Sequence, residues 1–255
     1  MIIVKTEYEL QIMRECGRIM AELLNLLADM VKPGVKTCEL DRFAEEFILS
    51  KGCKPAFKGY RGYPATLCVS VDNEVIHGIP SDRKLHEGEI VSIDVGIFYK
   101  GYCTDAARTY RVGKVDTKRN KLIQVTYEAL QRAIKVAVPG KRLGDISREI
   151  YNYVRSHGFD VVREFTGHGV GKFLHEDPMI PNYVPYKWQN LRLQRYMTLA
   201  IEPMVVAGKP NVYVKDDNWT VVTKDNEPAA HFEDTVVVNN HPEVLTADSL
   251  IDSPP

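Results

Sequence analysis

The stretch TGHGVGKFLHEDP, Thr166–Pro178, sets His168 and His175 seven residues apart among three glycines, with an acidic pair just after them. One imidazole in a glycine-flanked loop is more often a packing or surface residue than a ligand. Four carboxylates elsewhere in the chain change those odds. Asp94 lies in IVSIDVGIF, Asp105 in CTDAARTY, Glu202 in TLAIEPMVV and Glu233 in HFEDTVVVN, each inside a strand-like run. Taken singly, each reads as a solvent-facing acid on a half-buried strand. If the strands bring them face to face, repulsion and lost hydration would be costly without a cation. Small neighbours (Ser92, Gly96, Ala107, Ala200) leave room for one. Oxygen-rich ligation with an imidazole suits Mn, Fe(II), Co or Zn, whereas a structural zinc site would draw on thiolates. Two ions bridged by carboxylates and a hydroxide can polarise a carbonyl and supply a nucleophile at neutral pH, which is hydrolytic chemistry. The helical zinc-protease pattern HExxH is absent.

Elements able to position these side chains are legible around them. Thr6 with Glu9 predicts a capping box at the start of a helix. Leu10, Met13, Gly17, Met20, Leu24, Leu27 and Val31 then recur at steps of three and four, and VKPG ends the run. A second helix is predicted from about Thr37 to Ser50, carrying Leu40, Phe43, Phe47 and Ile48 inward, and a third from about Thr117 to Val138. The segment PGVKTCELDRFAEEFILSKG (Pro33–Gly52) aligns without gaps on PGKRLGDISREIYNYVRSHG (Pro139–Gly158), with five identities. Chance could give five matches, but in both halves a helix pair precedes strands that carry two acids. The expectation is one α+β catalytic domain over residues 1–255. Its pseudo-two-fold halves span about 1–115 and 116–250, with the site between them.

Bulk properties narrow the partners. The formal net charge is −1 with interspersed signs, which gives no electrostatic reason to expect nucleic acid or an anionic membrane. Cys16, Cys38, Cys53, Cys68 and Cys103 are scattered, odd in number and without a CxxC pair. Disulfides are therefore not expected, and a reducing compartment is. The N-terminus meets charge within five residues, and the most apolar helix is broken by Glu22, Asn25 and Asp29. Neither a signal peptide nor a bilayer span is read, so the expected location is the cytoplasm.

The motifs NEVIHGIP, SIDVG, GHGVGKFLHEDP, AIEPM and HFEDT, with Asp105 eleven residues after Asp94, occur in a telling order and spacing. They are those of the type I methionine aminopeptidases, metallopeptidases of the pita-bread fold, which the chain resembles over nearly its whole length. The resemblance implies a curved, mainly antiparallel sheet covered by helices. It implies two divalent metal ions (Co, Mn, Fe(II) or Zn) held by Asp94, Asp105, His168, Glu202 and Glu233, with Asp105 and Glu233 bridging. Glu202 would also carry a proton from the metal-bound water to the leaving amine. His175 would donate to the scissile carbonyl, and His77 would contact the substrate backbone near the leaving group. Phe57, Tyr60, Tyr63 and Cys68 in FKGYRGYPATLC, with Leu174 and Trp219, would form the methionine pocket. Phe57 stands where the family often has a smaller residue. The glycines at 167, 169 and 171 would let backbone pass close to metal and substrate. The implied substrates are nascent polypeptide N-termini with a small second residue, met at the ribosome by a monomer.

X-Pro aminopeptidases and dipeptidases share the fold and ligand set, and non-catalytic pita-bread binding modules also exist. The pocket segment and the lack of a long N-terminal extension favour the methionine-specific group, and all five ligands are present. Glu233 follows Glu202 by only 31 positions, too few for the insertion of type II enzymes. Two departures stand out. YVPYKWQNLRLQRYM is bulky and basic where the family usually has a glycine-rich turn, with Tyr196 in the glycine position, so the 183–197 loop should differ in shape at the site entrance. Asp72 stands where the family often has Asn, and no monovalent-cation site is assigned there.

Overall fold

The computed structural model describes residues 2–247. Helix α1 (Glu7–Met30) opens on the expected box: the Glu9 carboxylate accepts from the Thr6 N–H at 2.7 Å, and the Thr6 hydroxyl accepts from the Glu9 N–H at 3.3 Å. Its stripe of Leu10, Met13, Gly17, Met20, Leu24 and Leu27 is buried. Helix α2 (Thr37–Ser50) turns Leu40, Ala44 and Ile48 to the core. Phe43 and Phe47, expected inward, are half-buried on the flank with ring centroids 6.4 Å apart. Steps of four along Leu40, Ala44 and Ile48 define the contact line, and the two phenylalanines lie about a quarter-turn beside it.

The internal echo is structural. Helix α4 (Leu143–Ser156) is 14 residues long, as is α2, and the two begin and end at aligned positions. The N–H of Lys36 is capped by Glu39 at 2.9 Å and that of Arg142 by Asp145 at 2.8 Å, again at aligned positions. Ile146, Ile150 and Val154 occupy the places of Leu40, Ala44 and Ile48. Gly34 and Gly140, with φ of 91° and 89°, make the same left-handed turn before each helix. Helix α3 (Thr117–Lys135) stops three residues short of the expected end, since Pro139 bars helical geometry at the residue before it.

Every strand pairing among the described residues is antiparallel. In the first half, strand Ile90–Tyr99 lies between Leu67–Val71 and Tyr102–Arg111. In the second, Thr198–Ile201 lies between Thr166–Gly169 and Asp234–Val237. One apolar core joins α1 and α2 to the first sheet, and another joins α3 and α4 to the second. The sheets meet where Ala107 and Glu233 exchange backbone hydrogen bonds of 2.9 and 3.2 Å. Beside this seam the Arg108 guanidinium, buried, donates to the Glu233 carbonyl at 2.6 Å and to Asp234 Oδ1 at 2.7 Å.

Both sequence departures find a local reason. Tyr196 adopts φ 70°, the left-handed conformation that glycine takes freely. It is held by its N–H to the Val238 carbonyl (2.8 Å), by the Lys5 N–H to its own carbonyl (3.0 Å), and by Arg195 over its ring. The Asp72 carboxylate accepts from both Nε and Nη2 of Arg119, at 3.1 and 2.9 Å, so its charge is met by a guanidinium.

Lys5 also anchors the histidine loop. Its ammonium pairs with Glu176 at 2.5 Å, both side chains being 1% exposed, and Glu176 accepts the Phe173 N–H at 3.1 Å. Lys5→Met strands a buried carboxylate, and we expect it to lower stability by ~3–5 kcal/mol in urea unfolding. Lys5→Met with Glu176→Gln should recover most of that, because the amide still accepts from Phe173 and leaves no unpaired charge. An equal loss in the single and double variants would show that the stranded carboxylate is not what costs stability.

Candidate metal centre

Asp94 and Asp105 project from neighbouring strands of one hairpin. Asp94 pairs with Ala107 and Asp105 with Gly96, so the two acids are diagonal neighbours on one face. His168 pairs with Ala200 in the second sheet, and Glu202 follows the end of strand Thr198–Ile201. Glu233 arrives through its backbone exchange with Ala107. Both faces of the strand carrying Asp94 are buried, so the acid does not face solvent. One face meets the helices and the other lines a cavity of ≈ 260 Å³.

Every side chain given a ligand, catalytic or pocket role from the sequence lines that cavity. At its floor are the five expected ligands: Asp94, Asp105, His168, Glu202 and Glu233. Its walls include Phe57, Tyr63, Cys68 and Leu174, all buried in one apolar cluster, with Tyr60 and Trp219 packed against it. Tyr63 reaches the carbonyls of Leu67 and Gly78 through its hydroxyl and meets Trp219 edge-on at 5.0 Å. A side chain on Gly96 would strike Phe57 and Ala56 at 2.8 Å, so glycine there lets the pocket wall close on the strand. His175 stands beside His168 with ring centroids 4.3 Å apart, and its Nδ1 lies 2.9 Å from the Tyr60 hydroxyl. His77, at φ 58°, meets Phe165 and Trp219 edge-on. A non-glycine residue in that conformation beside a cavity is the sort of strain found at functional sites.

The glycines of the opening motif serve close packing. A Cβ on Gly167 would lie 2.5 Å from the Ala200 carbonyl, one on Gly169 2.2 Å from that of Asp177, and one on Gly171 2.3 Å from the Lys5 side chain. Gly167 therefore lets the His168 strand press against the strand that leads to Glu202. Gly171 makes room for the lysine anchor, which is a different reason from the one expected.

Electrostatically the floor is a concentration of uncompensated acid. Burial raises the carboxyl of Asp94 to about 8, and burial together with the neighbouring acids raises those of Asp105, Glu202 and Glu233 well above the ordinary range. Asp94 Oδ1, Asp105 Oδ1 and Glu233 Oε1 are buried with no hydrogen-bond partner. His168 Nδ1 faces the Gly169 carbonyl at 2.9 Å, so that its N–H can donate there. Nε2 is then free as a lone-pair donor, 3.4 Å from Glu202 Oε1 and 3.9 Å from Asp105 Oδ2. Burial holds this imidazole's pKa down at about 3, which keeps it neutral and able to ligate. Orphaned oxygens and a free imidazole nitrogen within a few ångström of one another are a donor set that fits divalent cations.

His231 was missed by the sequence reading. It lies 2% exposed, with Nε2 3.7 Å from Glu202 and 3.9 Å from Glu233. The signal was present in AHFEDT: two residues before Glu233 in extended chain is the same face. Arg61, Ile76, Phe165 and Thr166 also line the cavity without having been singled out.

Comparison with known proteins agrees with this geometry. Residues 11–240 match metallopeptidase family M24. A methionine aminopeptidase of Clostridium perfringens is 50% identical over 247 residues, covering 96% of this chain and 99% of that one. The crystal structure of methionine aminopeptidase from Rickettsia prowazekii superposes with a TM-score of 0.94 at 40% identity, covering 97% of this chain and all of that one. The prolidase of Pyrococcus furiosus superposes less closely, at a TM-score of 0.79 and 25% identity, and only 65% of its chain is matched. With a match over most of its length and relatives at half identity, the chain belongs to metallopeptidase family M24.

Proposed function

We propose that the protein is a methionine aminopeptidase that removes the initiator methionine from new polypeptides whose second residue is small. The observation that carries this reading is a single cavity in which an apolar pocket ends on clustered carboxylates and an imidazole. The pocket suits an unbranched, flexible thioether. The floor suits hydrolysis of the bond that follows it. All the residues given a role line one cavity of a single chain, which supports a monomer with one catalytic domain, expected over residues 1–255. Free cysteines at five positions support a reducing cytoplasm, where the substrates would be chain ends emerging at the ribosome. Among the described residues no helix is long and apolar enough to cross a membrane.

Asp94, Asp105, His168, Glu202 and Glu233 would hold two divalent cations, with Asp105 and Glu233 shared; Co, Mn, Fe(II) and Zn all suit these donors. When bound, such cations polarise the scissile carbonyl and ready a water for attack at neutral pH. Glu202 would take the proton released on attack and pass it to the departing amine, a relay helped by the burial that raises its proton affinity. His175 would steady the developing oxyanion. With the Tyr60 hydroxyl donating to Nδ1, the neutral ring keeps its proton on Nε2 and can offer it to the oxygen. His77 would meet the substrate backbone near the leaving group.

His175→Ala should lower kcat by ~10²–10³-fold, as removal of an oxyanion donor does, and leave bound metal at the wild-type level by elemental analysis. Loss of metal along with turnover would make His175 a ligand instead. The test of the function is paired hydrolysis of a Met-Ala-Ser peptide and an Ala-Pro peptide by anaerobically purified protein whose metal content is measured. Preference for Met-Ala-Ser is expected, and preference for the proline peptide would hand the protein to the prolidase branch of the fold.

A further inference from the structure

We propose that His231 is a second imidazole ligand of the metal centre, holding a divalent cation together with Glu202 and Glu233. This rests on the metal-binding reading of the cavity floor and adds to it a residue that the expected ligand set does not contain.

The ring of His231 is wholly buried, and neither of its nitrogens has a hydrogen-bond partner. Buried imidazoles are ordinarily satisfied, so this one calls for an explanation. Its direction is fixed by the main chain: the His231 N–H donates to the Thr109 hydroxyl at 2.9 Å, and the same hydroxyl donates to the His231 carbonyl at 2.8 Å. Nε2 consequently faces Glu202 Oε2 at 3.7 Å and Glu233 Oε2 at 3.9 Å. Those separations are too long for hydrogen bonds. They are close to the spacing of two ligands on one cation, since tetrahedral donors at ~2.0–2.2 Å from a metal stand ~3.4 Å apart.

His168 shows the same pattern, at 3.4 Å from Glu202 Oε1 and 3.9 Å from Asp105 Oδ2. Glu202 thus turns one oxygen towards each imidazole. Two buried groups result, Asp105–His168–Glu233 and Glu202–His231–Glu233, joined through Glu233 and each carrying one nitrogen donor. His231 stands behind the acids and does not line the substrate cavity, so changing it leaves the pocket walls as they are.

A second nitrogen donor has a consequence for metal choice. Imidazole favours Co(II) and Zn(II) over Mn(II), which prefers oxygen. The experiment uses the full-length protein, stripped of metal, as wild type, His231→Gln, His231→Ala and His168→Ala. Co(II) and Mn(II) are titrated by calorimetry, and Co(II) is also followed by visible absorption. Both His231 variants are expected to lose ~10–100-fold in affinity for one Co(II) equivalent, to lose less for Mn(II), and to change the Co(II) spectrum. Equal losses for both metals with an unchanged spectrum would make His231 a positioning residue behind the carboxylates and overturn the proposal, as would no loss at all. Proton spectra of Co(II)-loaded wild type give a readout that needs no variant. Two paramagnetically shifted imidazole N–H signals are expected, and one alone overturns the proposal. Normal Co(II) binding by His168→Ala would instead break the underlying reading of the site.

Discussion

Glu202→Ala is expected to abolish turnover, with kcat on a Met-Ala-Ser peptide reduced by ~10⁴-fold or more. General acid–base catalysis by one side chain supplies ~10²–10⁴-fold, and this residue would also be a ligand. Its position explains the double burden, since its two oxygens stand opposite His168 and His231. The backbone at this point is secured without the carboxylate, because the Asn182 amide donates to the Glu202 carbonyl at 3.0 Å. The variant should therefore fold, as circular dichroism would verify. Glu202→Gln keeps the shape and discards the charge, and it should be nearly as inactive. Wild-type rates from a folded Glu202→Ala protein would refute the assigned chemistry.

Removing metal should expose the repulsion between the acids, and it should do so in a defined pH window. Asp94, Asp105, Glu202 and Glu233 have raised pKa values in the folded protein. Above about pH 4 the folded state of the metal-free protein therefore holds more protons than the unfolded chain, and stability declines as pH rises. His77, His168, His175 and His231 are shifted the other way, to about 4, 3, 4 and 3, mainly by burial. They reduce stability as pH falls below about 6.5, which opposes the carboxylates in the acid range. Above about pH 6.5 the imidazoles are neutral in the folded protein and less than half charged in the unfolded chain, so the acids outweigh them and increasingly dominate. The melting temperature of the stripped protein should thus fall from pH 6.5 to 8, by scanning calorimetry. Co(II) or Mn(II) at a hundredfold excess over its Kd should contribute ~2.7 kcal/mol. At this chain length that is ~5–10 °C, with the larger gain at the alkaline end. A metal-free protein whose melting point does not fall over that window would mean that the four carboxyls are not crowded together.

Much of the candidate site was legible because its donors sit in short local patterns. SIDVG, GHG, AIEPM and HFEDT each place a donor at a strand end or on one strand face, and the folded chain brings those donors together. The helices were legible for a similar reason, since the Thr6–Glu9 cap and the Pro-Gly starts act over three or four residues. What escaped depends on which elements touch. The i, i+2 spacing of His231 and Glu233 is in the sequence, but that the ring also meets Glu202 is seen only when the end of strand Thr198–Ile201 brings that acid within 4 Å. Gly171 reads as a flexible loop residue until Lys5 is seen to occupy the space beside it. Asp72 carries no sign in the sequence that Arg119 will fork onto it. Phe43 and Phe47 fit a helical stripe, and only the approach of the sheet decides that Ala44 makes the central contact.

The exchange between Ala107 and Glu233, locked by Arg108, means that neither lobe owns the chemistry. One contributes two aspartates, the other two glutamates and the histidines of its loop and strand, and the same main-chain bonds that stitch the lobes also set the distance between their acids. A hinge-like parting at this seam would pull Glu233 away from the two aspartates and, on the proposed chemistry, cost activity. On that same proposal a peptide would reach the acids through the mouth of the cavity, past Tyr60 and Trp219, with the seam between the lobes intact.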